Sequence, residues 1–212
     1  MEDQTFSHPV AYHFRHITAP KGFRNINEIT DLSKLNWLHP TESLYGNWDG
    51  ENLILGQDFN SWNNLQGLSA DKLCHNPNFQ TNKNLCRVFG SNFQAIYGNF
   101  FWFIKEGDNA SSRFSTRTEV IEANNVIFEA TIKGMRNLKR VYCMGSAPYR
   151  FAFWQKFIPL SHCRTIVFKK DLDVYALPHL GNLGLNNFAN QCSFDRSCAL
   201  ERISSFVSET LV

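Results

Sequence analysis

Asn52-Leu53-Ile54-Leu55-Gly56-Gln57-Asp58-Phe59 is a short apolar run that ends abruptly in a glycine, an amide and a carboxylate. Strands that are covered on both faces in a parallel sheet are nearly continuous runs of Val, Ile and Leu, and ligands bind in the crevice beyond their carboxyl ends. The run therefore predicts a buried strand over about 52–56. We expect Asp58 to stand in a pocket at the end of this strand.

Further strand candidates follow along the chain and alternate with helical segments. Apolar and aromatic runs predict strands at 95–103, 141–145, 164–168 and 173–177. Helices are predicted from Thr81 onward and over 116–137, 146–157 and 195–207. Strands that alternate with helices imply right-handed crossovers. The pattern predicts an α/β protein: a three-layer α/β/α sandwich around a central, mostly parallel four-stranded sheet.

The composition is that of an ordinary folded domain. The chain has 212 residues, of which 43% are hydrophobic and 19% charged, and this length favours one domain over two. We predict a single domain over 1–212, in which residues 1–50 form a lead-in that packs on the core. The first residues lack the charged-then-apolar layout of a secretory signal, and no apolar run approaches the roughly 20 residues of a membrane span. The expected location is the cytoplasm, or the nucleus in a nucleated cell.

The cysteines and histidines do not form a metal-binding pattern. The six cysteines are scattered without a C-x-x-C pair, which favours buried thiols over a zinc ribbon or an iron–sulfur site. His13 and His16 lie three residues apart, but no nearby Cys or carboxylate completes a ligand set. No P-loop or G-x-G-x-x-G pattern occurs. We therefore predict neither a metal nor a cofactor.

The segment from Phe59 to Gln80 is much longer than a usual strand-to-helix connection. A loop of this length is typically functional. Asn99 is a second unusual feature, because it is a polar residue within the aromatic run 95–103. A third is Pro178-His179, which follows a predicted strand. Polar groups thus stand at the ends of several predicted strands.

Three of these strand ends together resemble the uracil-DNA glycosylase superfamily, over roughly residues 50–190. Leu55-Gly56-Gln57-Asp58 resembles the family's water-activating motif, and Asn99 occupies the place of its base-reading asparagine. The segment 178–183 is similar to its last motif, a histidine followed by a loop that enters the minor groove. The segment 141–147 resembles the strand and Gly-Ser/Lys-Ala turn found between the second and third motifs.

The resemblance implies hydrolysis of the N-glycosidic bond of a flipped-out deaminated or damaged base, uracil or a related one, as a step of base excision repair. Asp58 would orient or deprotonate the attacking water and offset the positive charge on the sugar. His179 would donate a hydrogen bond to the base oxygen that becomes negative. Asn99 would read the base edge through its carbonyl and amide groups.

The resemblance also implies substrate-binding and DNA-binding residues. Residues assigned to the base are Gln57, Phe59, Asn60, Phe79 and Asn99, with the ring of Phe79 stacking on it. Residues assigned to DNA are Ser146, Leu180, Asn182 and Leu183, with Leu183 as the apolar wedge that fills the space left in the stack. The expected partner is single- or double-stranded DNA. We expect a monomer without a membrane contact or an obligate protein partner.

The sequence departs from the family pattern at two places. Phe59-Asn60 replace the Pro-Tyr that excludes thymine in the best-known members, and Leu180-Gly181 replace the Pro-Ser that usually follows the histidine. The motifs therefore indicate the chemistry more than they indicate uracil. These departures leave open a superfamily member that binds nucleic acid or a nucleobase without efficient cleavage. A hydrolase of small nucleoside-like substrates is a third alternative.

Each site residue also has an ordinary structural interpretation. Asp58 could cap a strand end, Asn99 could satisfy backbone groups inside the sheet, and His179 could be a hydrogen-bonded structural residue. Basic residues cluster at Lys133, Arg136, Lys139 and Arg140, with a smaller group at Lys169 and Lys170. Such clusters are usually solvated surfaces, although either could contact phosphates.

Overall fold

The structure is a computed structural model that describes residues 17–25, 48–57, 79–90, 93–106 and 118–211. The strands in these ranges are β1 (Phe23–Asn25), β2 (Asn52–Gly56), β3 (Ile96–Asn99), β4 (Phe103–Lys105), β5 (Arg140–Met144), β6 (Ser161–Val167) and β7 (Lys170–Leu177). The α-helices are α1 (Phe79–Phe89), α2 (Thr118–Gly134), α3 (Ser146–Phe153), α4 (Asn182–Gln191) and α5 (Ala199–Glu209). Most of the predicted lead-in 1–50 lies outside the described residues.

The main sheet has five strands in the order β3-β2-β5-β7-β6. The first four run parallel: Leu55 of β2 lies opposite Gly98 of β3 and Cys143 of β5, and Met144 lies opposite Leu177 of β7. The α/β class with a mostly parallel sheet is therefore confirmed. The predicted number of four strands is wrong.

The additional strand arises from a hairpin. β6 pairs antiparallel with β7, and Val167 and Lys170 close the ladder. The two turn residues, Phe168 and Lys169, have φ angles of 48° and 68°, as expected for the turns that match the twist of a two-residue hairpin. Because the connection is a hairpin and not a helical crossover, β6 forms an antiparallel edge.

The predicted strand over 95–103 is interrupted. The backbone N–H groups of Phe100 and Phe101 donate to the carbonyls of Gly56, the last residue of β2, and of Gln57. The next N–H, that of Trp102, donates instead to Oδ1 of the buried Asn124 in α2, at 2.7 Å. The chain thereby leaves the main sheet, and β4 pairs antiparallel with β1 in a separate two-stranded sheet.

Helices cover both faces of the main sheet, an arrangement compatible with an α/β sandwich. Alternate residues of β2 face opposite sides, because side chains alternate along a strand. Leu53 and Leu55 pack in one apolar cluster with residues of α2 and α3. Ile54 packs in the other with residues of α1, α4 and α5. Both faces of β2 are thus buried, as its continuous apolar run predicts.

The helix boundaries differ from the predictions at several ends. α1 begins at Phe79, so Thr81 is a helical residue and not the N-cap. α3 ends at Phe153, because Trp154 takes the left-handed conformation. A 3-10 turn over Arg196–Cys198 precedes α5, and Asp195 accepts the backbone N–H of Ser197. Within the described ranges, no helix combines the length and apolar character that crossing a membrane requires.

Candidate functional site

The carboxyl ends of four parallel strands meet at one edge of the sheet. Gly56 at the end of β2 lies opposite Asn99 at the end of β3. On the other side of β2, the N–H of Gly145, which follows β5, donates to the carbonyl of Leu177 at the end of β7. The next residues of these strands, Gln57 and Pro178-His179, therefore project from the same edge. This edge is the candidate site.

Gly145 brings two of the predicted residues to one place. A methyl group built at Gly145 would lie 3.5 Å from Cβ of His179 and 3.9 Å from Oε1 of Gln57. Gly145 also has a φ angle of 93°, a left-handed conformation that is strained for residues with a Cβ. Gln57 and His179 thus lie on either side of Gly145.

The imidazole of His179 is held by the backbone. Nδ1 accepts a hydrogen bond from the N–H of Gly181 at 3.0 Å. Because a neutral imidazole has one donor and one acceptor nitrogen, the proton must then be on Nε2. The loop thereby selects the tautomer in which Nε2 is the donor.

Burial keeps the same ring neutral. Removal of the ring from water lowers the pKa of His179 below its usual value of 6.5, since desolvation disfavours the charged form. Protonation would also place a second N–H opposite that of Gly181. At neutral pH, His179 is therefore a neutral hydrogen-bond donor with a fixed orientation.

This pKa shift predicts a loss of stability in acid. Below about pH 6.5 the unfolded chain binds a proton at His179 that the folded protein does not bind until its lower pKa is reached. In that window the free energy of unfolding should fall with decreasing pH, by at most roughly 1.4 kcal/mol per pH unit from this group. Urea unfolding at three pH values about one unit apart, near 7.5, 6.5 and 5.5, measures the effect. The slope should be smaller in His179→Gln, and an equal slope in both proteins would contradict the assignment.

Two glycines make room for His179. A methyl group built at Gly181 would lie 3.0 Å from both Nδ1 and Cε1 of the imidazole and 3.4 Å from Oγ1 of Thr81. One built at Gly184 would lie 2.2 Å from the carbonyl oxygen of His179 and 2.6 Å from its Cβ. The first turn of α4 can pack against the loop only because Gly184 has no side chain.

We expect Gly184→Ala to destabilise the protein by roughly 1–3 kcal/mol, because the neighbouring atoms are backbone and cannot rotate away. Urea unfolding measures this change. The matched control is Gly98→Ala at a buried position, where the added methyl would lie 3.5 Å from Trp102 Cζ2, an ordinary contact. Equal unfolding midpoints for the two variants would show that α4 can shift without cost.

Asn84 of α1 holds the same loop from the side. Its side chain is 1% exposed, and its Nδ2 donates to the carbonyl of Leu180 at 2.7 Å. Its Oδ1 accepts Nε2 of Gln80 at 3.0 Å. Sequence reasoning did not single out Asn84, Gly181 or Gly184 as positioning residues. The only signal was an asparagine on the apolar face of a helix and a Gly-x-x-Gly spacing after the histidine.

Asn99 is buried at the carboxyl edge, with 5% of its surface exposed. It shares a face of the sheet with Gly56, because residues in register on parallel strands point the same way. Among the residues that the structure describes, none forms a hydrogen bond with its side-chain amide.

The predicted DNA-binding residues fall into two groups. Ser146 at the start of α3, and Asn182 and Leu183 at the start of α4, are exposed, with 72% of the Leu183 surface open to solvent. Leu180 is fully buried in the apolar cluster beneath α4. The side chain of Leu180 therefore does not share the exposed surface of Asn182 and Leu183, and its assignment to DNA stays a prediction. Its side chain packs in this cluster and thereby anchors the loop that follows His179.

The basic clusters lie at the opposite end of the sheet. Lys139 and Arg140, at the amino end of β5, both pair with Glu51, which precedes β2. Lys170 donates to the carbonyls of Met135 and Arg136 at the end of α2. These side chains lie at the amino edge of the sheet, so they do not contribute positive charge to the candidate site at the carboxyl edge.

Four predicted site residues lie wholly or partly outside the described residues. Asp58, Phe59 and Asn60 follow the last described residue of their segment, Gln57. Phe79 is the first residue of α1, and its side chain is not described. Within the described ranges, no group of three His, Cys, Asp or Glu side chains is arranged to hold a metal ion.

Comparison of the sequence with protein-family models finds no match, and comparison with curated proteins finds none either.

Proposed function

We propose that this chain is a single-domain DNA glycosylase of the uracil-DNA glycosylase superfamily, built on that superfamily's three-layer fold. It would hydrolyse the N-glycosidic bond of a deaminated or otherwise damaged base that is flipped out of the DNA, as a step of base excision repair in the compartment that holds the DNA. One observation carries the proposal. The neutral imidazole of His179, with its proton fixed on Nε2, lies beside Gln57 at the edge where Asn99 also ends its strand.

The leaving base is the part of the reaction that His179 suits. As the glycosidic bond breaks, negative charge develops on a base oxygen, and a fixed donor in a site shielded from water stabilises such charge strongly. In the proposal Nε2–H of His179 is this donor. The lowered pKa of the ring favours the role, because a neutral imidazole donates without first acquiring a proton.

Base recognition is assigned to Asn99, Gln57 and Phe79. The buried Asn99 amide offers one donor and one acceptor in a single plane, as bidentate reading of a base edge requires. Gln57 contributes its side-chain oxygen, which lies near Gly145. Stacking by Phe79 would supply the apolar contact. Phe59 and Asn60 would shape the side of the pocket toward the base C5 position.

The water and the sugar cation are assigned to Asp58. It directly follows Gln57, and a carboxylate there would orient or deprotonate the attacking water and offset the oxocarbenium charge. No metal is required in this scheme, because the leaving group and the nucleophile each have a protein partner.

The start of α4 is assigned to the DNA. Leu183 is an exposed apolar residue four positions after His179, and in the proposal it enters the space vacated by the flipped nucleotide. Such a wedge offsets part of the few kcal/mol that unstacking costs. Asn182 and Ser146 would contact the adjacent backbone.

Base release is the direct test. Labelled single- and double-stranded oligonucleotides containing uracil, hypoxanthine, xanthine or hydroxymethyluracil are incubated with the protein, and abasic sites are then cleaved with alkali. The proposal expects release from at least one substrate. DNA binding without release from any of them would favour a binding module, and release from free nucleosides alone would favour a small-molecule hydrolase.

A further inference from the structure

A groove with two arginines in its walls runs along the surface between α1 and α5. Its two parts have volumes of about 340 and 560 Å³ and share Arg87 and Leu200 as lining residues. The smaller part is closed on one side by the start of α4 and by the turn at Arg196–Cys198. The two sections are therefore neighbours that share a wall.

The smaller section begins where the candidate site ends. Gln80 and Asn182 line it. Gln80 precedes Thr81, whose hydroxyl lies next to Gly181, and Asn182 follows Gly181, whose N–H holds His179. Leu183, the proposed wedge, is the next residue of α4. A strand that leaves the site on this side would enter the groove directly.

The walls of the groove are rich in hydrogen-bond donors. Arg87 and Arg196 are exposed cations, and Nη2 of Arg196 donates to Oδ1 of Asn182 at 2.8 Å, which fixes the position of the guanidinium. Four serines, Ser197, Ser204, Ser205 and Ser208, line the rest of the groove. Three of their hydroxyls already donate within the protein: that of Ser197 to Asp195, that of Ser204 to the carbonyl of Val88 and that of Ser208 to the carbonyl of Ser204. Glu201 is the single acidic residue among the described lining residues.

This lining matches the groups that proteins use on a nucleic-acid backbone. Phosphate and sugar contacts come mainly from Arg and Lys and from Ser, Thr, Asn and Gln side chains. Arg87 and Arg196 bring two positive charges to the lining against the single negative charge of Glu201, and this balance favours an anionic partner.

We propose that the groove between α1 and α5 binds the sugar-phosphate backbone of the DNA strand that flanks the flipped nucleotide. Arg87 and Arg196 pair with successive phosphates of this strand. The inference rests on the proposed function, since it identifies the flanking strand as the partner. It adds a DNA-binding surface that begins beside the wedge and extends along α1 and α5.

The test compares binding of a fluorescein-labelled single-stranded oligonucleotide over a series of salt concentrations. Arg87→Gln and Arg196→Gln should each weaken binding about tenfold at low salt. Each should also lower the slope of log affinity against log salt by about 0.7, the amount expected for one lost phosphate contact on a single strand. Glu201→Gln should strengthen binding, because it removes the negative charge from the track.

The matched control is Arg136→Gln, which removes the same charge from an exposed position at the opposite edge of the sheet. It should bind like wild type. All four positions are exposed, and thermal unfolding of each variant verifies that it is folded. The groove is rejected if Arg87→Gln and Arg196→Gln match the control, or if wild type binds no oligonucleotide.

Base release separates the groove from the catalytic proposal. If the wild type releases base and the groove variants bind DNA normally, the groove proposal is rejected and the glycosylase proposal is retained. A salt slope that depends on Arg87 and Arg196, without release from any lesion, retains the groove and rejects the glycosylase.

Discussion

Replacing Asp58 by asparagine is expected to slow base release by roughly 10²- to 10⁴-fold, the range that a positioned general base contributes. The substitution keeps the size and shape of the side chain but removes its charge and its ability to accept a proton. Binding of DNA should change little, because the assigned role of Asp58 concerns the water and the sugar cation that forms only during the reaction. Single-turnover release from a lesion-containing oligonucleotide measures the rate.

The matched control is Asp171→Asn, which removes a carboxylate from the exposed hairpin of β6 and β7. Its surface ion pair with Arg164 contributes little to stability, so release should proceed at the wild-type rate. If Asp58→Asn instead loses DNA affinity and rate together, Asp58 has a structural role at the strand end and the proposed mechanism lacks its general base.

The buried centre of the sheet could be predicted because its strands are read from a local signal. β2 and β5 are covered on both faces, so each is an uninterrupted apolar run that ends in a glycine. The edge could not be predicted in the same way. The turn of the β6–β7 hairpin uses Phe168 and Lys169 at positive φ, where the usual sequence signal is Asn-Gly or Asp-Gly.

For the site, the sequence predicts which residues follow the strand ends. The order of parallel strands brings Gln57 and His179 to one edge, and this follows from topology. The tautomer of His179 depends instead on a hydrogen bond to Gly181 two residues later, and the space for the ring depends on how closely α4 approaches. Leu180 and Leu183 look alike in sequence. Only the packing of α4 shows that Leu180 is buried and Leu183 exposed.

The second large effect is expected from His179→Gln. Loss of one donor to a developing negative charge typically lowers the rate of the chemical step by roughly 10²- to 10³-fold. The amide of glutamine extends about as far from the backbone as Nε2 of histidine. Its flexible chain, however, cannot hold the donor in the orientation that the hydrogen bond from Gly181 gives the ring. The affinity for DNA should remain within a few-fold of wild type. His162→Gln, at an exposed position on the edge strand β6, is the matched control and should release base normally.

A pH profile distinguishes a neutral donor from a general acid. If a protonated imidazole delivered the proton, the rate would fall as the pH rises through the pKa of His179, which burial places below 6.5. A neutral Nε2–H donor requires no added proton, so the rate should stay level from about pH 6.5 to 8 and fall only in acid, where the ring becomes protonated. A rate that rises on acidification through this range in wild type, and not in His179→Gln, would instead assign proton delivery to His179. The hydrogen bond from Gly181 argues against that outcome, because an imidazolium would direct its Nδ1–H at a backbone N–H.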